Sequence, residues 1–270
     1  TAAIILTVLA FMFFVRERNM AAAGQTWREW WTAVRQWWRN IWQNLTEQIE
    51  SAAQALAFSG LNMEGEVVFH LCGRFGPEVL APLRPLGAAL AAAHPVRSLT
   101  HEAISLDDFA GTPCVAEGNE VALARLKPFF EAIRAGWMST GHIDRGLYHA
   151  SVSIISNITK GISWKTQMWL QDAGLSREMA ARVNLELLGS TLSDLDRYGA
   201  RQSITGPIVR GDTQTIEAHL EALGNVHPQD IELYCVLAGT VLELARERGD
   251  LGAETLEQFR SILKASPNVA

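Results

Sequence analysis

Short apolar runs alternate with helical segments between residues 60 and 140, and this alternation constrains the fold more than any other feature of the 270-residue chain. Several runs there have the length of strands, and helical patterns follow some of them. A strand–helix–strand order of this spacing is typical of βαβ units, so we expect parallel strand pairing. The expected strands are Glu66–Cys72, Ala91–Val96, Thr112–Ala116 and Trp137–Thr140, and the expected helices are Pro77–Leu90 and Asn119–Ala135.

Residues 141–270 carry helical patterns. A long helical stretch from Ile143 to about Gly174 comes first, and Gly206-Pro207 breaks a later helix. Asp212 is expected to cap a helix over Thr213–Leu223. Further helices are expected over Ile231–Arg248 and Ala253–Leu263. The chain should therefore be mostly α with a small α/β portion.

Residues 1–25 form an apolar segment that suggests a membrane anchor. Ala2–Val15 carries no charge, and as a helix it would span roughly 20 Å, short of the ~30 Å hydrocarbon core. It fits a transmembrane helix that begins before Thr1, a short interfacial anchor, or the core of a signal peptide. A buried core element is the alternative. The arginines after Val15 place the bulk of the chain in the cytoplasm by the positive-inside tendency.

Residues 26–59 contain an amphipathic helix rich in tryptophan. Its apolar residues recur at steps of three and four, and Thr26 with Glu29 forms a capping box at its start. Indole rings favour the headgroup zone of a membrane, although the same face would also suit docking on protein. The residues expected to contact lipid or a partner are Trp27, Trp30, Trp31, Trp37, Trp38 and Trp42.

Composition excludes some classes of function. The net charge of −6 gives no reason to expect nucleic-acid binding. Cys72, Cys114 and Cys235 are far apart, which favours buried thiols in a reducing compartment over a disulfide or zinc framework. The seven histidines show no recognised metal-ligand spacing, so no metal is expected.

A polar stripe follows the long helical stretch. His149, Ser153, Ser156 or Asn157, and Lys160 recur at steps of three and four, which places them on one helical face. Such a stripe on an otherwise apolar helix requires partners or a cavity. It fits a substrate site, a bonded helix–helix interface or a dimer interface, and Lys160 also fits a solvated end.

Several motifs in a fixed order resemble a known family. The runs VVFHLCGRFGPEVLAPLRPLGA, AHPVRSL, GTPCVAEG, LYHASVSIISN and ITGPIVRGDTQTIEAHLEAL are similar to those of the Rossmann-like proteins that carry domain of unknown function 2520. That family looks like a relative of ketopantoate reductase and of dehydrogenases with a 6-phosphogluconate dehydrogenase-like C-terminal domain. The resemblance covers roughly residues 62–248 and implies a truncated Rossmann-like sheet over 60–140, followed by a helical dehydrogenase-type domain over 141–270.

The resemblance also implies site residues. His149 and Asn157 would bind substrate, and His94, just after a strand, would lie nearby; Lys160 is a further inherited candidate. Arg210, in the family's TGPxxRGD run, would bind an anion or hold the turn by an ion pair. The sequence departs from the family at HLCG, where a small hydroxyl residue is usual in place of Cys72, and it lacks the GxGxxG turn of a dinucleotide site.

Two functions follow from these features. The first is a membrane-associated, non-catalytic accessory or scaffold protein without a cofactor, with a respiratory or photosynthetic membrane complex as the candidate assembly. The alternative is an NAD(P)-dependent oxidoreductase, with NADP as its cofactor, that acts on a small keto or hydroxy acid and whose nucleotide-binding half is missing or supplied elsewhere. Analogy with relatives adds a homodimer formed through the helical domain.

Overall fold

A computed structural model of the chain describes residues 45–98 and 109–264. The chain divides into two compact units, residues 1–159 and 160–270, which we call the first and the second unit. The described part is mostly helical with one small four-stranded sheet, which confirms the expected fold class at this level. The division into segments at residues 25, 59 and 140 stays a prediction.

The first unit contains the sheet and the helices that cover it. Helix α1, described over Leu45–Ala57, contains the last part of the helix expected over residues 26–59. The elements, in chain order, are α1 (Leu45–Ala57), β1 (Val67–His70), a 3₁₀ helix (Pro77–Leu86), β2 (Ala89–Pro95), β3 (Pro113–Gly118), α2 (Glu120–Ala132), β4 (Gly136–Ser139), α3 (Arg145–Ser153) and a π-helical turn (Ile154–Ile158).

The helix expected over Pro77–Leu90 is shorter and tighter than the sequence pattern indicated. It is a 3₁₀ helix that contains Pro82 and Pro85. Each proline lacks the backbone N–H that an α-helical hydrogen bond requires, so the segment does not continue as an α-helix. Gly87 ends it in the left-handed conformation, and the chain then turns into β2.

The sheet is mixed, with strand order β1-β2-β3-β4. The outer pairs β1–β2 and β3–β4 are parallel, but β2 and β3 are antiparallel. The expectation of parallel pairing throughout is therefore wrong at the centre of the sheet. A parallel connection requires a crossover, usually a helix, whereas antiparallel strands can be joined without one.

Each face of the sheet packs against helices. Leu126 and Phe130 of α2 lie on one face, against the odd-numbered residues of β1 and β2 such as Phe69. The 3₁₀ helix and α1 cover part of the other face, where Leu80 is fully buried. The apolar face predicted for α1 is buried, as shown by Ile49, Ala52, Ala53 and Leu56. This part of the predicted amphipathic helix therefore packs on protein.

The second unit contains helices. Phe259 and Ile216 lie at the centre of its apolar core. Asp212 caps the helix that follows it, as predicted, by accepting a hydrogen bond from the amide of Thr215 at 3.0 Å. The elements are α4 (Thr159–Asp172), whose first residue belongs to the first unit, α5 (Arg177–Ser203), α6 (Thr213–Val226), a 3₁₀ turn (Pro228–Asp230), α7 (Ile231–Arg248) and α8 (Ala253–Lys264).

A buried carboxylate ties α4 to the 3₁₀ turn of the second unit. Asp230 is 4% exposed, and its two oxygens accept from Lys165 at 2.9 Å and from the indole N–H of Trp169 at 3.0 Å. Burial by itself would raise the pKa of Asp230, but these two hydrogen bonds hold the pKa below its usual value. The carboxylate therefore stays charged and paired.

The expected membrane association is contradicted. Within residues 45–98 and 109–264, no helix has both the length and the apolar character needed to cross a bilayer. The assignment of the chain to a membrane, with its bulk in the cytoplasm, is therefore corrected. The apolar segment over residues 1–25 and the six tryptophans between Trp27 and Trp42 lie outside the described residues.

Candidate functional site

A group of polar side chains lies together on one face of the sheet in the first unit. Strand register aligns His70 of β1, Ala92 of β2 and Glu117 of β3 in one row across the sheet. His94 follows two residues after Ala92, so its side chain is on the same face. Helix α3 adds Arg145 and Tyr148. We call His70, His94, Glu117, His142, Arg145 and Tyr148 the polar cluster.

His94 and Tyr148 form a hydrogen-bonded pair within the cluster. Both are half-buried, and the imidazole Nδ1 lies 2.8 Å from the Tyr148 hydroxyl oxygen. The imidazole ring packs against Gly73, where an added Cβ would lie 2.8 to 3.0 Å from three atoms of the ring. Glycine at position 73 therefore leaves the space that the His94 ring occupies.

Burial sets the protonation of this pair. It lowers the pKa of His94 to about 4, with further lowering by the charges of His149, Arg145 and His70. Burial also raises the pKa of Tyr148. At neutral pH the imidazole is therefore uncharged and the phenol keeps its proton, so a single hydrogen lies between Nδ1 and the hydroxyl oxygen. Either group can donate it, depending on the imidazole tautomer.

His70 lies deeper and has both ring nitrogens bonded. Its Nε2 lies 2.9 Å from the carbonyl oxygen of Gly76, and its Nδ1 accepts from the amide of Cys72 at 3.2 Å. The amide can only donate and the carbonyl can only accept, so the ring is neutral with its hydrogen on Nε2. Burial lowers the pKa of His70 to about 4, in agreement with this arrangement.

Glu117 and Arg145 form a buried ion pair beside these histidines. The side chains are 8% and 5% exposed, and Arg145 Nε donates to Glu117 Oε2 at 2.9 Å. The other oxygen of Glu117 lies 3.0 Å from Nδ1 of His142, whose ring is largely exposed. The guanidinium carbon lies 5.6 Å from the centre of the Tyr148 ring. Arg145 therefore links the carboxylate to the phenol.

The site residues expected from the sequence lie in different parts of the structure. His94 is in the polar cluster, and His149 is exposed but close enough to His94 to lower its pKa. Asn157 is exposed in the π-helical turn, which interrupts the regular phase from which a common face was predicted. Lys160 and Arg210 are exposed residues of the second unit. Substrate binding by His149, Asn157 and Lys160 stays a prediction.

Sequence reasoning missed Glu117, Arg145 and Tyr148. Glu117 ends an apolar strand, and a charged residue at such a position requires a buried partner, which is a signal the sequence does contain. Arg145 is the first residue of α3, after the capping residue Asp144, but the sequence does not show that it reaches Glu117. The pairing depends on tertiary structure.

A cleft of about 430 Å³ adjoins the polar cluster in the first unit. It lies where β3 and β4 end, and Glu117 and His142 contribute to its wall. The lining residues are Pro77, Arg84, Ala88, Leu90, Glu117, Gly118, Asn119, Thr140, Gly141 and His142. The carboxyl ends of strands are where open α/β sheets usually bind ligands.

The described residues around this cleft do not fit a dinucleotide pyrophosphate. The side chain of Asn119 already caps α2, and Asp144 caps α3 in the same way. Glu117 and Glu120 add negative charge where a phosphate would require positive potential. Gly118 packs directly on β2, because a Cβ there would lie 2.5 Å from the carbonyl oxygen of Leu90.

Comparisons with known proteins agree on the fold. The family described as "Domain of unknown function (DUF2520)" matches residues 112–241, just under half of the chain. The crystal structure of protein TM1727 from Thermotoga maritima superimposes with a TM-score of 0.60 at 21% identity, covering 75% of this chain and 76% of that one. The "putative NADP oxidoreductase BF3122" from Bacteroides fragilis gives a TM-score of 0.54 at 19% identity, covering 66% and 65%. No curated protein matches significantly.

These comparisons bear on the two functions expected from sequence. The expectation of a non-catalytic subunit of a membrane complex is wrong: no described helix can span a bilayer, and one structural neighbour carries an oxidoreductase name. The alternative of an NAD(P)-linked oxidoreductase stays a prediction. At these identities the structural likeness establishes the Rossmann-like fold, and activity has to be argued from the site.

Proposed function

We propose that the chain is the substrate-side part of an NADP-linked oxidoreductase that acts on a small keto or hydroxy acid. The dinucleotide would be held by a segment or a second chain outside the described residues, because the residues around the cleft do not fit it. NADP would supply or accept the hydride. The proton that accompanies hydride transfer would be handled by the polar cluster.

The hydrogen bond between His94 and Tyr148 is the observation that carries this proposal. In one neutral arrangement Nδ1–H of His94 donates to the phenol oxygen, which leaves the Tyr148 O–H free to donate to a substrate oxygen. When Tyr148 gives up its proton to that oxygen, the hydrogen on His94 Nδ1 replaces it, and His94 Nε2 takes a proton from water. The reverse sequence removes a proton from a substrate hydroxyl.

Electrostatics favour this role. Proton transfer by a positioned side chain typically contributes 10²–10⁴-fold to a rate. Both partners are uncharged near neutral pH, because burial lowers the pKa of His94 to about 4 and raises that of Tyr148. Arg145 lies against the phenol ring, and its positive charge would stabilise negative charge on the phenol oxygen during transfer.

The second unit offers a matched control for the test. His219 Nδ1 lies 2.8 Å from the hydroxyl oxygen of Tyr234, the same type of pair at the same distance. The test measures NADPH oxidation with a panel of 2-oxo acids. It compares the wild-type protein with full-chain Tyr148→Phe and Tyr234→Phe variants.

Tyr148→Phe should lower kcat by roughly 100-fold or more, while Tyr234→Phe stays near wild type. Equal activity of Tyr148→Phe and wild type would remove the phenol from the chemistry. Absence of NADPH oxidation with every acid in the native protein would refute the proposed function itself.

A further inference from the structure

Arg145 has two buried donors that its protein neighbours leave unused. The residue is 6% exposed, and Nε donates to Glu117. Nη1 and Nη2 are the buried side-chain atoms without a hydrogen-bond partner in the part of the chain that the structure describes. A guanidinium has five N–H donors in a rigid plane, and here four of them belong to these two nitrogens.

Such an arrangement is costly unless a ligand completes it. A buried donor without a partner loses its hydration and gains nothing in return, and the loss is greater for a charged group. Arginine and carboxylate groups frequently pair through two parallel N–H···O bonds. In this pair Glu117 accepts from Nε of Arg145, so the edge formed by Nη1 and Nη2 makes no contact with the carboxylate.

We infer that the Nη1 and Nη2 atoms of Arg145 bind the carboxylate of a small 2-oxo or 2-hydroxy acid. This inference rests on the proposed function and identifies the substrate group that the cluster recognises. The planar two-nitrogen edge matches the two oxygens of a carboxylate. Tyr148 packs on the guanidinium and bonds His94, so the carbon next to that carboxylate would lie beside the Tyr148 hydroxyl.

The charges of the cluster are compatible with an anion. Glu117 balances Arg145, and a ligand carboxylate would bring a second negative charge. His142 lies 3.0 Å from the other oxygen of Glu117, and its ring is largely exposed. Both terminal nitrogens of Arg145 are closed to solvent, so the side chains that cover them would have to move for the ligand to bind.

Isothermal titration with pyruvate and with its neutral amide, pyruvamide, tests this site. Wild-type protein should bind pyruvate roughly 10- to 100-fold more tightly than pyruvamide. Arg145→Lys keeps the charge but loses the planar edge, and it should weaken pyruvate binding by a similar factor. Arg125→Lys makes the same change at an exposed arginine of α2, outside the polar cluster and the cleft wall, and should bind pyruvate as wild type does.

A second measurement covers the case in which Arg145→Lys does not fold. In wild-type protein, the guanidinium nitrogen resonances of Arg145 should shift and sharpen with pyruvate and not with pyruvamide. Equal binding of the acid and the amide, or unchanged Arg145 resonances at saturation, would overturn the inference and leave buried water as the partner. Pyruvate binding without any NADPH oxidation would support the carboxylate site while refuting the proposed oxidoreductase.

Discussion

Acid should destabilise the first unit through His70. The folded structure holds this ring neutral: the amide of Cys72 donates to Nδ1, so a proton added there would face another donor. The pKa is about 4 in the fold, against an ordinary value of 6.5. Between these two values the unfolded chain binds more protons than the folded one, so stability falls as pH falls through this window.

The magnitude follows from the size of the shift. The difference between 6.5 and about 4 is worth about 3 kcal/mol at 1.36 kcal/mol per pKa unit. That contribution is fully present above pH 6.5 and is lost by about pH 4. It is a substantial part of the stability of an ordinary domain, roughly 5–15 kcal/mol.

Urea denaturation of wild-type and His70→Gln proteins at about pH 7 and about pH 4 measures this contribution. Glutamine does not titrate, yet its amide can still donate to Gly76 and accept from Cys72. The variant should lose about 3 kcal/mol less on acidification than wild type. His219→Gln, the same change at an exposed residue, should retain the wild-type loss. If His70→Gln and wild type lose equal stability, the assigned tautomer and its burial penalty are wrong.

Three further predictions concern packing and assembly. Gly118→Ala should cost about 1–3 kcal/mol in urea denaturation, because the new Cβ would meet backbone, while Gly141→Ala, where nothing lies within 4 Å, should not. Asp230→Asn should cost about 2 kcal/mol by the same assay, since it removes the buried negative charge that pairs with half-buried Lys165. The homodimer stays a prediction: Leu187 of α5 is 66% exposed, and Leu187→Glu should convert a dimer to a monomer in analytical ultracentrifugation.

Much of the fold could be predicted because short strands and long helices have distinct periods. The strand over Val67–His70 and the helix over Ile231–Arg248 are close to their expected bounds. Strand direction was not predictable, because an apolar run has the same pattern whichever way it pairs. The two prolines within the 3₁₀ helix did signal its departure from α geometry.

The candidate site was less predictable than the fold. His94 was found because it follows a strand in a motif shared with a known family. Arg145 and Glu117 are 28 residues apart in sequence, and strand register and the path of α3 bring them together. Periodicity within one helix cannot show such a pairing. The helical period of the sequence therefore predicted a substrate site on the stripe from His149 to Lys160.

The most direct test titrates the natively isolated protein with NADPH and monitors binding by nicotinamide fluorescence. A 2-oxo acid is then added to the complex. We expect saturable NADPH binding, with the cofactor oxidised once the acid is added. A protein that neither binds NADPH nor oxidises it with any 2-oxo acid would contradict the assignment of the polar cluster to an oxidoreductase.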